Sequence, residues 1–418
     1  EIYAFVPNTV LANLRSYTEP DYEHRYFVDG EIAIADAYVS GAWRTILVGT
    51  LGRGGPGVFA LDVTNPSSVS LLWEKNGANI PQLGKNIGKP VIAQTSDGDW
   101  RVLLGNGPGS TDEDAHLISI RLSDGSVQTH AVGAAGDNGL SAVLARDADG
   151  NGIADTAYAG DFKGNLWKFD WRSGTMSVSK LFTAVDANGA AQPITAAPLV
   201  GKDPATGTTW VFFGTGQYLH TNDLTDRQVQ SWYGIQDTGV LVSGRAELVQ
   251  RDILAEGTIG DFPVRVIEEG AISDMANKKG WYMDLVSPIH GVEGERMVVP
   301  NRFQGTALIG TTRIPDAQDP CRPSGKGFVM AINPFTGARL DRTFFDVSMD
   351  GLFTEADMLL VDGVPTIVSG IGMDSSPNNP IFIEDVMQVG LDDGTTKTIK
   401  TQGSAVQAQR MSWRELFN

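Results

Sequence analysis

Cysteine is almost missing from this sequence: Cys321 stands alone among 418 residues. A disulfide framework, a cysteine-built zinc cage and an iron–sulfur cluster are therefore excluded. Taken by itself, the single thiol reads as a small buried or half-buried side chain. Long hydrophobic runs are missing too, and nothing approaches the roughly 18 apolar residues that span a bilayer. Basic residues are in short supply, with 32 Lys and Arg against 50 Asp and Glu, a net charge of −18. Such a surface repels phosphate backbones and anionic lipid, which sets nucleic-acid binding aside and leaves divalent cations as the natural small partners. No low-complexity tract or strict glycine period is present, so the chain is neither disordered nor collagenous. Neither an initiator methionine nor a charged-then-apolar leader opens it at Glu1, and the expectation is a processed or excised piece of a longer protein.

Glycine, by contrast, is abundant, at 49 residues, and it punctuates a repeat. Apolar strands ending in glycine recur as Ile46–Gly49, Val102–Gly105, Ala157–Gly160, Val211–Gly214, Ala307–Gly310 and Ile367–Gly370. After a short turn a second strand usually follows: Val58–Asp62, Leu117–Ile120, Leu166–Asp170, Trp232–Ile235, Trp281–Asp284, Phe328–Asn333 and Val389–Asp392. Short apolar runs between Asp-Gly, Asn-Gly and Gly-Gly turns are β-hairpins. Hairpins repeating about every 60 residues without helical crossovers fit small antiparallel sheets stacked in a ring. Length alone suggests two or three domains; the repeat predicts one all-β domain over 1–418, a seven-bladed β-propeller, with a β-sandwich as the alternative. Residues 243–280 lose the rhythm, and Ala246–Leu254 carries apolar positions at helical spacing, which predicts a small insertion with one or two short helices. Residues 371–380, dense in proline and asparagine, predict a loop.

One segment carries specific chemistry. Asp147-Ala148-Asp149-Gly150-Asn151-Gly152-Ile153-Ala154-Asp155 places side-chain oxygens at positions 1, 3, 5 and 9, glycine at 6 and an apolar residue at 7. Calcium takes six to eight hard oxygen ligands, and this spacing curls alternate side chains onto one centre. Asp147, Asp149, Asn151, the Ile153 carbonyl and Asp155 are the expected ligands of a Ca2+ ion. Without a cation each carboxylate pair about 5 Å apart repels by roughly 3 kcal/mol at an effective dielectric of about 20. Position 12, the bidentate glutamate of an EF-hand, is Tyr158, inside a predicted strand. The loop is therefore a strand-to-strand hairpin closed by Asp155, and it resembles those of integrin α-subunit propellers. Ordinary turns use the same residue types; it is the register of four oxygens with the glycine that points to a metal.

Other motifs read more plainly. Gly52–Gly57 has the letters of a dinucleotide fingerprint, but a strand follows it and no helix N-terminus is there to hold a pyrophosphate. The histidines His24, His116, His130, His220 and His290 show no metal spacing. Ser110 and Ser119 have no identifiable base, and no Gly-x-Ser-x-Gly elbow occurs. Trp43, Trp73, Trp167, Trp232 and Trp281 sit at strand positions and read as packing between blades.

Several of these segments together resemble the C-terminal domain of PilY-type pilus proteins: Tyr3–Asn8, Tyr26–Gly30, Trp43–Gly49, Gly57–Thr64, the calcium loop running into Tyr158–Trp167, Phe213–Leu219, and Ser412–Leu416. The resemblance covers essentially the whole chain in order. It implies a modified seven-bladed propeller related to quinoprotein dehydrogenases, beginning inside its first blade. It further implies a non-enzymatic, secreted adhesin and assembly factor at the tip of type IV pili, with a periplasmic or outer-membrane pool. Calcium would set the balance of pilus extension and retraction, and with it twitching motility. Minor pilins and other tip components, and host or abiotic surfaces, are the implied partners. The implied calcium ligands are the residues named above. Cys321 lies where relatives often carry a pair of cysteines, and an integrin-binding Arg-Gly-Asp is missing.

The alternative function is a quinone (PQQ)-dependent dehydrogenase on the same fold, since Ala60–Thr64 and Ile332–Gly337 resemble degraded quinoprotein blade signatures. Such enzymes collect their calcium ligands from separate blades, whereas this loop is continuous, and a vicinal disulfide is impossible with one cysteine.

Overall fold

Apolar strands of this chain can run without polar interruption because both of their faces are covered. The computed structural model describes residues 3–133, 136–316 and 325–403. These form two compact units, one of Glu1–Tyr218 with Gln230–Leu248, the other of Leu219–Val229 with Val249–Asn418.

The first unit contains three four-stranded antiparallel sheets in simple up-and-down order. They are β1 Ile32–Val39, β2 Ala42–Thr50, β3 Gly57–Asp62 and β4 Ser70–Asn76; then β5 Val91–Gln94, β6 Trp100–Gly105, β7 His116–Arg121 and β8 Val127–Ala131; then β9 Leu140–Arg146, β10 Thr156–Asp161, β11 Asn165–Asp170 and β12 Ser177–Thr183. Strands β13 Leu199–Lys202, β14 Thr209–Gly214 and β15 Ser231–Asp237 continue the pattern. The alternation of side chains explains the continuous runs. On β6, Val102 and Leu104 pack with Val48, Val58 and Ala60 of the first sheet, while Leu103 packs with Val143, Ala157 and Phe169 of the third. Trp73 bridges sheets as expected, its indole N–H donating to the Leu122 carbonyl at 3.1 Å. The glycines that end the strands are required by close approach. A Cβ on Gly105 would lie 1.9 Å from the Ser141 carbonyl oxygen, and one on Gly160 would lie 2.2 Å from the Ile194 side chain.

The second unit departs from this regularity. One sheet orders Ile253–Ile259, Phe262–Ile267, Gly370–Met373, Gly325–Ile332, Ala307–Thr311 and Arg302–Gln304, with Ile314–Pro315 pairing onto Gly325–Ile332. Its core includes Val264, Ile309, Val329, Phe344, Phe345 and Ile371. A hairpin, Met358–Val361 with Val364–Ile367, and a three-stranded sheet of Ile381–Ile383, Val386–Gly390 and Thr396–Lys400 complete it.

Two expectations are corrected here. The fold is an all-β propeller, but with five blades and not seven: five sheets have four or more strands. Hairpin signals count strand pairs, and late in the chain those pairs do not each build a sheet. Gly370–Met373 is shared between Phe262–Ile267 and Gly325–Ile332 in one large sheet. Gly280–Asp284 pairs in parallel with Val249–Arg251. The helical insertion is also not formed. Residues 243–280 hold the strands Val249–Arg251, Ile253–Ile259 and Phe262–Ile267 with two 3-10 turns, Arg245–Glu247 and Ile272–Met275. Burial alternates from Gln250 to Leu254, with Arg251 and Ile253 inside, and β-branched Val264, Val266 and Ile267 suit a pleated surface. The one α-helix among the described residues is the turn Asn8–Leu11. Of the loop expected over 371–380, Ile371–Met373 lies in a strand, while residues 374–380 form none. Cys321 and Ser412–Leu416 lie outside the described residues.

Candidate metal centre

The acidic loop hangs between two strands of the third sheet. Strands β9 and β10 pair with Thr156 opposite Arg146, so residues 147–155 form the connection. Its base is closed by Asp155 N–H donating to the Arg146 carbonyl at 2.9 Å and by Trp171 N–H donating to the Asp155 carbonyl at 2.8 Å. Ala154, 6% exposed, ties the loop to the second sheet: its N–H donates to the Gln94 carbonyl at 2.8 Å, and it bridges Thr95. Gly150 and Gly152 take φ of 82° and 87°, the left-handed region where a side chain is strained.

Those turns aim backbone donors inward. Asp147 Oδ1 accepts from Gly150 N at 2.7 Å and Asn151 N at 3.2 Å, and Oδ2 accepts from Gly152 N at 2.6 Å. Asp149 Oδ1 accepts from Asn151 N, Asn151 Oδ1 from Ile153 N, and Asp155 Oδ2 from Ala148 N. The Asn151 amide also donates to Asp149 Oδ2 at 3.0 Å. Oxygens of Asp147, Asp149 and Asp155 lie within 4.8 Å of one another. Ligands on a calcium ion sit at about 2.3–2.6 Å, so two of them are at most about 5 Å apart. The three carboxylates fit one such ion. Desolvation pushes the Asp147 carboxyl up, but the N–H groups of Gly152, Gly150 and Asn151 outweigh it and hold the group below the usual carboxylate range. No described basic side chain forms a salt bridge with any of the three.

Tyr158 stands on β10, 1% exposed, with its hydroxyl donating to Asp237 Oδ2 at 2.7 Å. It is no ligand, as its strand position requires. Gly52–Gly54 forms a 3-10 turn leading into β3, in keeping with the hairpin reading of that glycine-rich segment. Ser110 and His116 both bind one carboxylate: the Ser110 hydroxyl donates to Asp112 Oδ1 at 3.0 Å, and His116 Nε2 is 2.8 Å from Asp112 Oδ2. The serine is thus held by an acid and not by an imidazole base.

The sequence reading passed over Asp346-Val347-Ser348-Met349-Asp350-Gly351, which repeats the spacing. Asp346 accepts from Asp350 N and Gly351 N much as Asp147 does from its own loop. Asp350 Oδ1 accepts from Leu352 N, and Asp357 from Ser348 N and Thr354 N. Among the described residues, only Asp147, Asp149 and Asp155 gather into a metal-sized cluster.

The family model of the PilY1 beta-propeller domain matches residues 5–182 and 177–269. The chain belongs to the PilY1 β-propeller family. A type IV pilus biogenesis factor PilY1 homolog of Xylella fastidiosa is 49% identical over the whole of this chain, and the Pseudomonas aeruginosa PAO1 PilY1 is 33% identical over 84% of it. In both cases the chain spans about a third of the relative's length, 34%. The crystal structure of the Pseudomonas aeruginosa PilY1 C-terminal domain superposes with a TM-score of 0.80 at 28% identity, covering 96% of this chain and 88% of that one. Among the described residues no helix is long and apolar enough to cross a membrane.

Proposed function

We propose that this chain is the calcium-binding, non-enzymatic C-terminal propeller of a type IV pilus biogenesis factor. In this reading the 418 residues are one propeller domain of a longer secreted protein, carried at the cell surface and pilus tip with a periplasmic or outer-membrane pool. Its partners are minor pilins and other tip components, together with the host or abiotic surfaces the pilus attaches to. The observation that carries the metal reading is the convergence of Asp147, Asp149 and Asp155. Asn151 and the Ile153 carbonyl complete the ligand set. The names of the relatives support the pilus role.

Calcium bound here would offset two of the three like charges and fix the hairpin. The chain's own residues do the rest. Gly150 and Gly152 set the curl, backbone N–H groups orient the carboxylates, and Ala154 transmits the loop's position to the second sheet through Gln94 and Thr95. A loop fixed by the ion would present a recognisable surface that a loosened one would not, and that is how the ion would bias pilus extension against retraction. Ligands from nine consecutive residues speak for a self-contained ion site and against one shared with a quinone between blades.

The test uses the full-length protein in cells lacking their own copy. Asp149→Ala and Asp155→Ala should leave the protein at normal levels yet disturb calcium-dependent piliation and surface motility. Normal piliation and motility with both variants would remove the regulatory role.

A further inference from the structure

A second feature of the first unit lies beside the loop and has the opposite sign. Between the third sheet and the β13–β15 strands opens a cleft of about 410 Å³. Its walls carry Arg146 at the end of β9, Lys168 on β11, Arg172 just beyond β11 and Lys202 at the end of β13. The one carboxylate among the lining residues is Asp237. Four cations sharing a cleft is the reverse of what a chain of net charge −18 would supply by chance placement.

The four are not equivalent. Lys168, with its side chain 10% exposed, donates to Asp237 at 2.6 Å, and the Tyr158 hydroxyl holds the same carboxylate. Arg172 is engaged with Asp170. Among the described residues, Arg146 and Lys202 have no carboxylate partner. Arg146 donates only to the Thr209 hydroxyl, at 3.2 Å, and Lys202 is exposed. Two of the four charges are thus uncompensated, and both line the cleft together with Gly207, Thr238 and Gly239. Thr156, 2% exposed, also lines the cleft, next to Tyr158. Cationic donors without carboxylate partners around an open, polar space are what an oxyanion satisfies. The Tyr158 ring is buried, so no exposed aromatic face lines the cleft on which a sugar could stack.

We propose that this cleft is an oxyanion-binding site, recognising a free sulfate- or phosphate-like anion or the side-chain carboxylates of an acidic peptide. It shares Arg146, Ala148 and Thr156 with the acidic loop and its strands, but Lys202 and Thr209 belong to neither. The test titrates the full chain, in low-salt buffer containing calcium, with sodium sulfate and separately with a hexaglutamate peptide. At least one of them should saturate a single site. Lys202→Glu and Arg146→Gln should each weaken it by about tenfold, the scale of one charge-assisted hydrogen bond. Lys85→Glu, the same charge change at an exposed position outside the cleft, should leave the affinity unchanged. Saturation by sulfate alone assigns a free oxyanion, and saturation by the peptide assigns peptide-borne carboxylates. No saturable binding of either probe, or equal weakening by Lys85→Glu and Lys202→Glu, overturns the site; a failed calcium titration would not.

Discussion

At the scale of single residues, charge is held by backbone more than by counter-ions. Three N–H donors of its own loop hold the Asp147 carboxyl below the usual carboxylate range, and its oxygens lie within 4.8 Å of those of Asp149 and Asp155. The convergence of the three carboxylates was legible because they sit within one hairpin, where sequence distance and spatial distance are the same thing. The tether of Ala154 to Gln94 was not, since it joins residues sixty positions apart through backbone atoms that any sequence carries. A titration prediction belongs here. His130 on β8 is pulled below the ordinary imidazole range by burial first and by Arg101 second. A group whose folded pKa is depressed supports the fold above its unfolded value, near 6.5, and that support is lost as the pH falls. The urea midpoint of the chain should therefore drop between about pH 7.5 and 5.5, and His130→Gln should drop less. Equal drops for both proteins would show that His130 is not the group concerned.

At the scale of elements, the strands of the first unit were readable because burial on both faces demands unbroken apolar runs, and glycine is forced where a strand end meets the next sheet. Second-unit pairing was not readable. Which strand lies beside Gly370–Met373 is a long-range choice, and the hairpin signal near Phe328 is silent about it. Helical spacing in Ala246–Leu254 misled for a related reason: over nine residues, periods of two and 3.6 share several positions, and tertiary pairing decides. The stacked sheets are where the folding energy lies. Leu103, fully buried between the second and third sheets, should cost about 2–5 kcal/mol when cut to alanine, measured by denaturant unfolding. A loss well below 1 kcal/mol would mean the sheets do not pack through that face.

At the scale of the whole molecule, one nine-residue hairpin is set against five blades. Losing the ion should free the loop and leave the fold, because the apolar faces of the stacked sheets bury far more surface than one turn. Saturating calcium at about 100 times Kd stabilises by about 2.7 kcal/mol, a measurable shift and not a rescue from unfolding. Magnesium, which demands a small octahedron and keeps its water, should shift stability far less at equal concentration. The most direct measurement is a calorimetric calcium titration of the chain and of Asp155→Ala, with circular dichroism recorded on both in chelator. The expected result is saturable calcium binding by the chain, none at the loop in Asp155→Ala, and native β-sheet spectra throughout. Calcium binding of equal affinity in Asp155→Ala, or unfolding of either protein in chelator, would contradict a local calcium switch at Asp147–Asp155.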